Sequence, residues 1–167
     1  RGVRLLEKKL AAIDNCRKAG LKIVFVPTIV KGINDHEIGA LIRLAIDNID
    51  TVSGFSFQPV CFTGRINRRE LEAKRFTQSD LAHCVADQTG LTDKYDDWFP
   101  LSCTSPFSKL ISGLQNFNRP NLTSHPHCAM GTYLYVDTAT KKAVPITRFF
   151  DMPGMLHGAV LRSPHPH

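Results

Sequence analysis

Residues 21–30 read LKIVFVPTIV, a nearly unbroken apolar and β-branched run. It is too short for a helix and fits a strand buried on both faces of a parallel sheet. Pro27 has no amide hydrogen, so pairing is expected to be interrupted near it. Upstream, Leu6, Leu10 and Ile13 recur at helical spacing among lysines and arginines, and Gly20 follows as a stop, which predicts an amphipathic helix over residues 3–19. Downstream, Asn34-Asp35-His36-Glu37 reads as a helix start, with Asn34 capping the amide three residues on and Glu37 reaching back. Ile38, Leu41, Ile42, Ala45 and Ile46 carry that helix to Asn48. Residues 52–60, VSGFSFQPV, form the next strand, in which Phe55 and Phe57 alternate with Ser56 and Gln58. Helix, strand, helix, strand with short connections is the repeat of a parallel α/β fold. The loops after its strand ends share one edge, where such folds bind ligands. Residues 31–35 and 61–65 occupy that edge.

Beyond residue 65 the alternation stops. Thr77-Gln78-Ser79-Asp80 opens a short helix carrying Leu81 and Val85 and ending before Gly90. Ser105-Pro106 is an N-cap and first-turn pair for a helix through Phe107, Leu110, Ile111 and Leu114. Residues 132–136 (TYLYV) and 143–150 (AVPITRFF) read as a hairpin around a turn at residues 137–142.

The 167 residues include 21 Lys+Arg against 15 Asp+Glu, a net charge of +6, with 43% hydrophobic and 22% charged residues. That composition excludes a disordered chain. No apolar run approaches the roughly 20 residues that cross a bilayer, and no signal peptide precedes the first helix, so the chain reads as cytoplasmic. It opens on Arg1 rather than Met, which points to sequence upstream. The basic residues are dispersed apart from Arg65, Arg68, Arg69, Lys74 and Arg75, which Glu70 and Glu72 interrupt. A solvated face explains that group as well as an anion contact does. No nucleic-acid-binding pattern is present.

The cysteines, Cys16, Cys61, Cys84, Cys103 and Cys128, are far apart and odd in number, which argues against a disulfide framework. Any metal site must be assembled by the fold. His125-Pro126-His127-Cys128 places imidazoles and a thiol before a glycine-containing strand entry, a rigid place to present a thiolate to zinc or an iron-sulfur cluster. Cys103 stands just before a predicted helix N-terminus, where free amides favour thiolate. A small buried hydrophobe would explain either cysteine equally. Cys16 lies near the apolar stripe of the first helix and is expected to pack. Asn34 could meet a ligand carboxylate or ribose or simply cap its helix, and Arg65, after Gly64, is a candidate to grip an anion.

Residues 20–65, with the segments VPTIVKGINDHEIG and FQPVCFTGR, resemble the last βα units of a radical S-adenosylmethionine (SAM) enzyme barrel. The sub-group they are most similar to contains the tetraether lipid synthases and pterin-modifying radical enzymes. LSCTSPFSKLISGL, HPHCAMGTYLYVD and VPITRF continue the similarity through residues 101–150. The resemblance implies an α/β fold: the C-terminal portion of a partial (βα) TIM-type barrel at residues 1–75, then a helical and β-hairpin auxiliary-cluster extension at residues 76–167. A complete barrel takes about 250 residues, so the chain is expected to be the back half of a larger enzyme.

By the same resemblance Asn34, Gln58 and Arg65 contact SAM or lie near its pocket, and Cys103 and Cys128 ligate an auxiliary 4Fe-4S cluster. The implied reaction is one-electron cleavage of SAM to methionine and a 5′-deoxyadenosyl radical, which takes hydrogen from an unactivated carbon of a lipid or pterin. Ferredoxin or flavodoxin would supply the electron, and a lipid substrate would place the enzyme at a membrane surface. No C-x-x-x-C-x-x-C motif for the SAM-binding cluster occurs in the chain, so these residues alone are expected to be inactive. Pro145-Ile146-Thr147 stands where related hairpins end in Pro-Cys. The alternatives are a stand-alone zinc or iron protein using Cys103, Cys128 and a histidine such as His125 or His127, and a non-catalytic scaffold.

Overall fold

The computed structural model describes residues 5–103, 105, 112–113, 124–125 and 128–151. Its compact units are Arg1–Gly90 with Val136–Ala143, and Leu91–Tyr135 with Val144–His167.

In the first unit, helix α1 (Leu6–Lys18) closes on Gly20, whose φ of 67° suits a residue without Cβ. Gly20 N–H donates to the Arg17 carbonyl at 3.1 Å and Leu21 N–H to the Cys16 carbonyl at 2.9 Å, which satisfies the last carbonyls of the helix. The buried residue of α1 is Ile13, whereas Leu6 and Leu10 are exposed. Arg17 ties the helix to the turn before the second strand, donating from Nε to Asp50 at 2.5 Å and from Nη2 to the Asn48 side chain at 2.6 Å. The Asp50 hydrogen bond raises the Arg17 pKa, and its counterpart holds the Asp50 carboxyl below the usual range.

The strand expected at residues 21–30 divides into β1 (Ile23–Phe25) and β2 (Thr28–Ile29), and that at residues 52–60 into β3 (Val52–Phe55) and β4 (Gln58–Pro59). β1 pairs in parallel with β3, and β2 with β4. Ser56, Gln58 and Val60 donate in turn to the carbonyls of Phe25, Pro27 and Ile29 at 2.8–2.9 Å. In a parallel ladder the return rung between the first two bonds comes from the nitrogen of residue 27, and a proline has no hydrogen to give. The missing rung divides the strand. Pro59 is harmless, because its neighbours Gln58 and Val60 donate to the first strand and its own nitrogen faces the opposite edge.

The connection between the strands contains a 3₁₀ turn (Asp35–Glu37) and helix α2 (Ile38–Asp47). The expected cap by Asn34 and Glu37 is absent: neither makes a side-chain cap bond. Gln88, from helix α4 (Gln78–Thr89), satisfies this end of α2 from across the unit. Its Oε1 accepts from Gly39 N–H at 2.8 Å and its Nε2 donates to the Asp35 carbonyl at 2.8 Å. A Cβ on Gly39 would lie 2.8 Å from Gln88 Cβ, so the close approach of α2 and α4 requires glycine there.

α4 begins as its sequence predicts. The Thr77 hydroxyl accepts from Asp80 N–H at 3.1 Å and the Asp80 carboxylate accepts from Thr77 N–H at 2.8 Å. Ile29, Ile38, Ile42, Ala45, Val52, Leu81, Ala82 and Val85 form the core between the ladder and these helices. Each large aliphatic side chain buried there contributes about 1.5–3 kcal/mol. The compact units divide after Gly90, past the division at residue 75 drawn from the sequence, because α4 packs on α2. Between these elements lies α3 (Arg68–Lys74), capped by the Asn67 side chain and carrying Arg68–Glu72 and Lys74–Glu70 pairs on its solvated face.

In the second unit β5 (Phe99–Pro100) pairs antiparallel with β6 (Met130–Gly131). The expected hairpin forms from β7 (Leu134–Val136) and β8 (Ala143–Pro145), and its turn, Val136–Ala143, belongs to the first unit. Its turn is held by Asp137, whose carboxylate accepts from Ala139 N–H at 3.0 Å and Thr140 N–H at 2.6 Å. Asp97 is wholly buried and accepts from Asp93 N–H at 2.6 Å, from the Thr147 hydroxyl, and from Arg148 at 3.5 Å. The helix expected from Ser105 through Leu114 falls mostly outside the described residues.

Candidate functional site

Side chains alternate between the faces of a strand, and paired residues share a face. The pairing of Phe25 with Phe55 and of Thr28 with Gln58 therefore sorts the parallel ladder. One face carries Phe25, Ile29, Phe55 and Phe57; Phe55 and Phe57 stack at 4.8 Å, and Phe25 meets Phe55 edge-on at 5.4 Å. The other face carries Val24, Val26, Thr28, Gly54, Ser56 and Gln58. It is open: Val24 is 52% and Val26 62% exposed, with Thr28, Ser56 and Gln58 also exposed or half-exposed. This corrects the expectation that residues 21–30 are buried on both faces. The unit supplies helices to one face of the ladder only, among the described residues.

The open face is graded. Its N-terminal part is valine and glycine, and its C-terminal part is Thr28, Ser56 and Gln58, beside the two loops expected to bind ligands. Gln58 Nε2 donates to Ser56 Oγ at 2.9 Å, which anchors the carboxamide and leaves its oxygen and a second N–H to solvent.

Asn34 is more firmly engaged. Its Oδ1 accepts from Val30 N–H at 2.8 Å and its Nδ2 donates to the Thr28 carbonyl at 2.8 Å. The backbone groups of Thr28 and Val30 point away from β4, because Pro27 and Ile29 supply the carbonyls that face it. The Asn34 side chain thus stands where the rung of a further strand would be, and ends pairing on that edge at the site's rim. Asp35 holds the loop by accepting from Gly32 N–H at 3.0 Å, and Gly32 has φ of 73°. Arg65 is exposed in the loop after β4, one residue beyond Gly64, whose φ is 87°. The hydrogen bonds of Asn34 and Gln58 go to other groups, so the structure does not join Arg65 to either.

In the second unit, two of the cysteines flank the short β5–β6 ladder. Pro100 pairs with Met130, and Leu101 N–H donates to the Ala129 carbonyl at 3.0 Å. Residues 101–103 then leave the strand as a 3₁₀ turn, so Cys103 follows β5 and Cys128 precedes β6 at the same end of this short ladder. Cys103 is half-buried and Cys128 exposed, in a turn where Cys128 N–H donates to the His125 carbonyl at 2.8 Å. Two thiols so placed suit the soft ligand positions of zinc or an iron-sulfur cluster. Among the described residues no group of three or more potential metal ligands comes together, and His127 lies outside them.

The remaining cysteines belong to the first unit. Cys61 is exposed, and Cys16 is half-buried on α1. Burial pushes the Cys84 thiol up, with Asp35 and Asp80 adding to the effect, so Cys84 is held as thiol rather than thiolate.

Sequence reading did not identify Gln88, Asp97 or Ser56. Gln88 and Asp97 act through partners about fifty residues away, which no local pattern reveals. Ser56 had a local signal, its i, i+2 spacing from Gln58.

No family model matches the chain. Over 157 residues it is 43% identical to a protein of Methanocaldococcus jannaschii named 7,8-dihydro-6-hydroxymethylpterin dimethyltransferase. The match takes in 93% of this chain and 31% of that enzyme, so the chain spans about a third of the length of the curated relative it matches. No helix among the described residues is long and apolar enough to cross a membrane.

Proposed function

We propose that these residues serve a radical SAM enzyme that alkylates a pterin, as part of a larger catalytic unit. The observation that carries this reading is the 43% identity, across 93% of the chain, to an enzyme named as a dihydropterin dimethyltransferase. The name favours pterin over lipid.

In this reading the open face of the parallel ladder forms one wall of the pocket for SAM and substrate. Gln58 and Ser56 contribute polar contacts at the carboxyl ends of the strands. Arg65 offers a guanidinium to an anionic group such as the SAM carboxylate. Asn34 acts by holding the end of β2 and the loop at residues 31–35 in place. The fold class implied is a partial (βα) barrel, of which this chain carries one parallel strand–helix–strand unit. The radical chemistry belongs to SAM and the cluster that reduces it, and the protein's part is to orient reactants and keep water from them.

Cys103 and Cys128 would supply two thiolate ligands of an auxiliary 4Fe-4S cluster, which provides redox chemistry when bound. The fit is partial, since the described residues offer two soft donors and a cluster takes more. Anaerobic reconstitution of the full chain with iron and sulfide tests this. Broad visible absorbance is expected in wild type and its loss in Cys103→Ser and Cys128→Ser. Uptake of zinc with no chromophore would instead support a structural metal site, and absorbance unchanged by both substitutions would overturn the ligand assignment.

A further inference from the structure

Two features of the open face combine into something neither shows alone. Val24 pairs with Gly54, and the same register sets Val26 beside Ser56, so the floor is apolar and low. A Cβ built on Gly54 would meet nothing within 4 Å, so no wall rises at that position. At the carboxyl end of the same face the Gln58 carboxamide is tethered by one N–H to Ser56 Oγ at 2.9 Å. An untethered glutamine on a solvent-facing strand samples several rotamers and must lose that freedom on binding. The tether removes part of that cost beforehand. It also commits one N–H of the amide and leaves the oxygen and the other N–H available as acceptor and donor.

We propose that Ser56 is a positioning residue. Its hydroxyl holds the Gln58 carboxamide so that the free acceptor and donor read the complementary edge of a flat nitrogen heterocycle lying over Val24, Gly54 and Val26. The proposal rests on the reading given under Proposed function, which brings two such heterocycles to this face, the pterin lactam and the adenine of SAM. Both present an N–H donor next to a ring nitrogen or carbonyl acceptor, and a side-chain amide matches that edge with two hydrogen bonds. The valine floor contributes by area, as apolar surface leaves water under the ring. Ser56 touches no ligand atom in this arrangement and acts through Gln58.

The test is equilibrium binding of two probes to the full chain, 6-hydroxymethylpterin and 5′-deoxyadenosine, with wild type, Ser56→Ala, Ser56→Thr and Gln58→Met. Wild type is expected to bind at least one probe, and which one identifies the source of the heterocycle. Ser56→Ala should weaken that probe about 3- to 10-fold, the worth of one neutral hydrogen bond. Gln58→Met should weaken it further, and Ser56→Thr should restore it, because threonine keeps the hydroxyl and suits a strand. Both positions lie on the open face, so melting temperatures should match wild type, which separates binding from folding. If Gln58→Met weakens binding but Ser56→Ala does not, the positioning role is overturned and the pocket survives. Binding of neither probe overturns the pocket as well.

Discussion

The two faces of the parallel ladder are made from the same two segments, yet one is closed and the other open. Ile29 and Val52 are fully buried, while Val24 and Val26, which alternate with the first strand's covered residues, stay more than half exposed. Hydropathy does not distinguish these valines and isoleucines. What distinguishes them is which residues face α2 and α4, and that follows from strand parity and from a register shift between Ile23 and Val24 that sets Val52 on the covered side. A face that is apolar at one end, polar at the other and left uncovered is suited to receiving a ligand rather than to holding a core.

Truncation on each side tests that contrast most directly. Ile29→Ala is expected to lose about 2–5 kcal/mol in chemical denaturation, the range for emptying a packed aliphatic site. Val26→Ala should stay within about 0.5 kcal/mol of wild type, as for exposed positions. Equal losses would mean that the open face is covered in the folded chain.

A smaller effect probes how the covered side is held. Gly39→Ala drives a methyl against Gln88, and about 1–3 kcal/mol should be lost as α2 and α4 move apart. Pairing it with Gln88→Ala should give less than the sum of the single losses, because both changes forfeit the same Gly39–Gln88 hydrogen bond.

Asn34→Ala removes two hydrogen bonds from the rim of the open face and should cost about 1–3 kcal/mol. Amide exchange at Val30 reports it locally. Protection at Val30 unchanged in Asn34→Ala would show that the side chain does not cap that strand edge.

The smallest effect is set by pH. Burial pulls the Asp80 pKa up, but hydrogen bonds from the Thr77 hydroxyl and amide outweigh it, and the net shift is downward. A carboxyl whose folded pKa is depressed stabilises the fold above its ordinary value and loses that contribution as pH falls through the folded one. The α4 cap should therefore weaken only at acid pH, below the normal carboxylate range. Asp80→Asn should flatten that limb of the stability–pH curve, while costing about 0.5–2 kcal/mol at neutral pH.

Local order was legible in the sequence. The Gly20 stop of α1, the Thr77–Asp80 capping box, the interruption at Pro27 and the hairpin around Asp137 each depend on residues within a few positions of one another, so spacing alone predicts them. The cap expected from Asn34 and Glu37 failed for the opposite reason. Its place is taken by a distant partner, since Gln88 bonds Gly39 across 49 positions and Asp35 across 53. With that end of α2 satisfied from α4, Asn34 is free to hold the strand edge instead.

The same division runs through the candidate site. Residue chemistry at 34, 58, 65, 103 and 128 could be read one position at a time, and the strand–helix–strand order and the soft ligands available follow from local pattern and residue type. Which of them share a face or an edge follows from strand pairing and packing. Gln58 joins Ser56 on an open face because strand parity places both there, and Cys103 and Cys128 fall at one end of a ladder because an antiparallel register pairs the segments beside them, which are about thirty residues apart in the chain. Contacts of that range depend on pairing and packing, which no short stretch of sequence encodes.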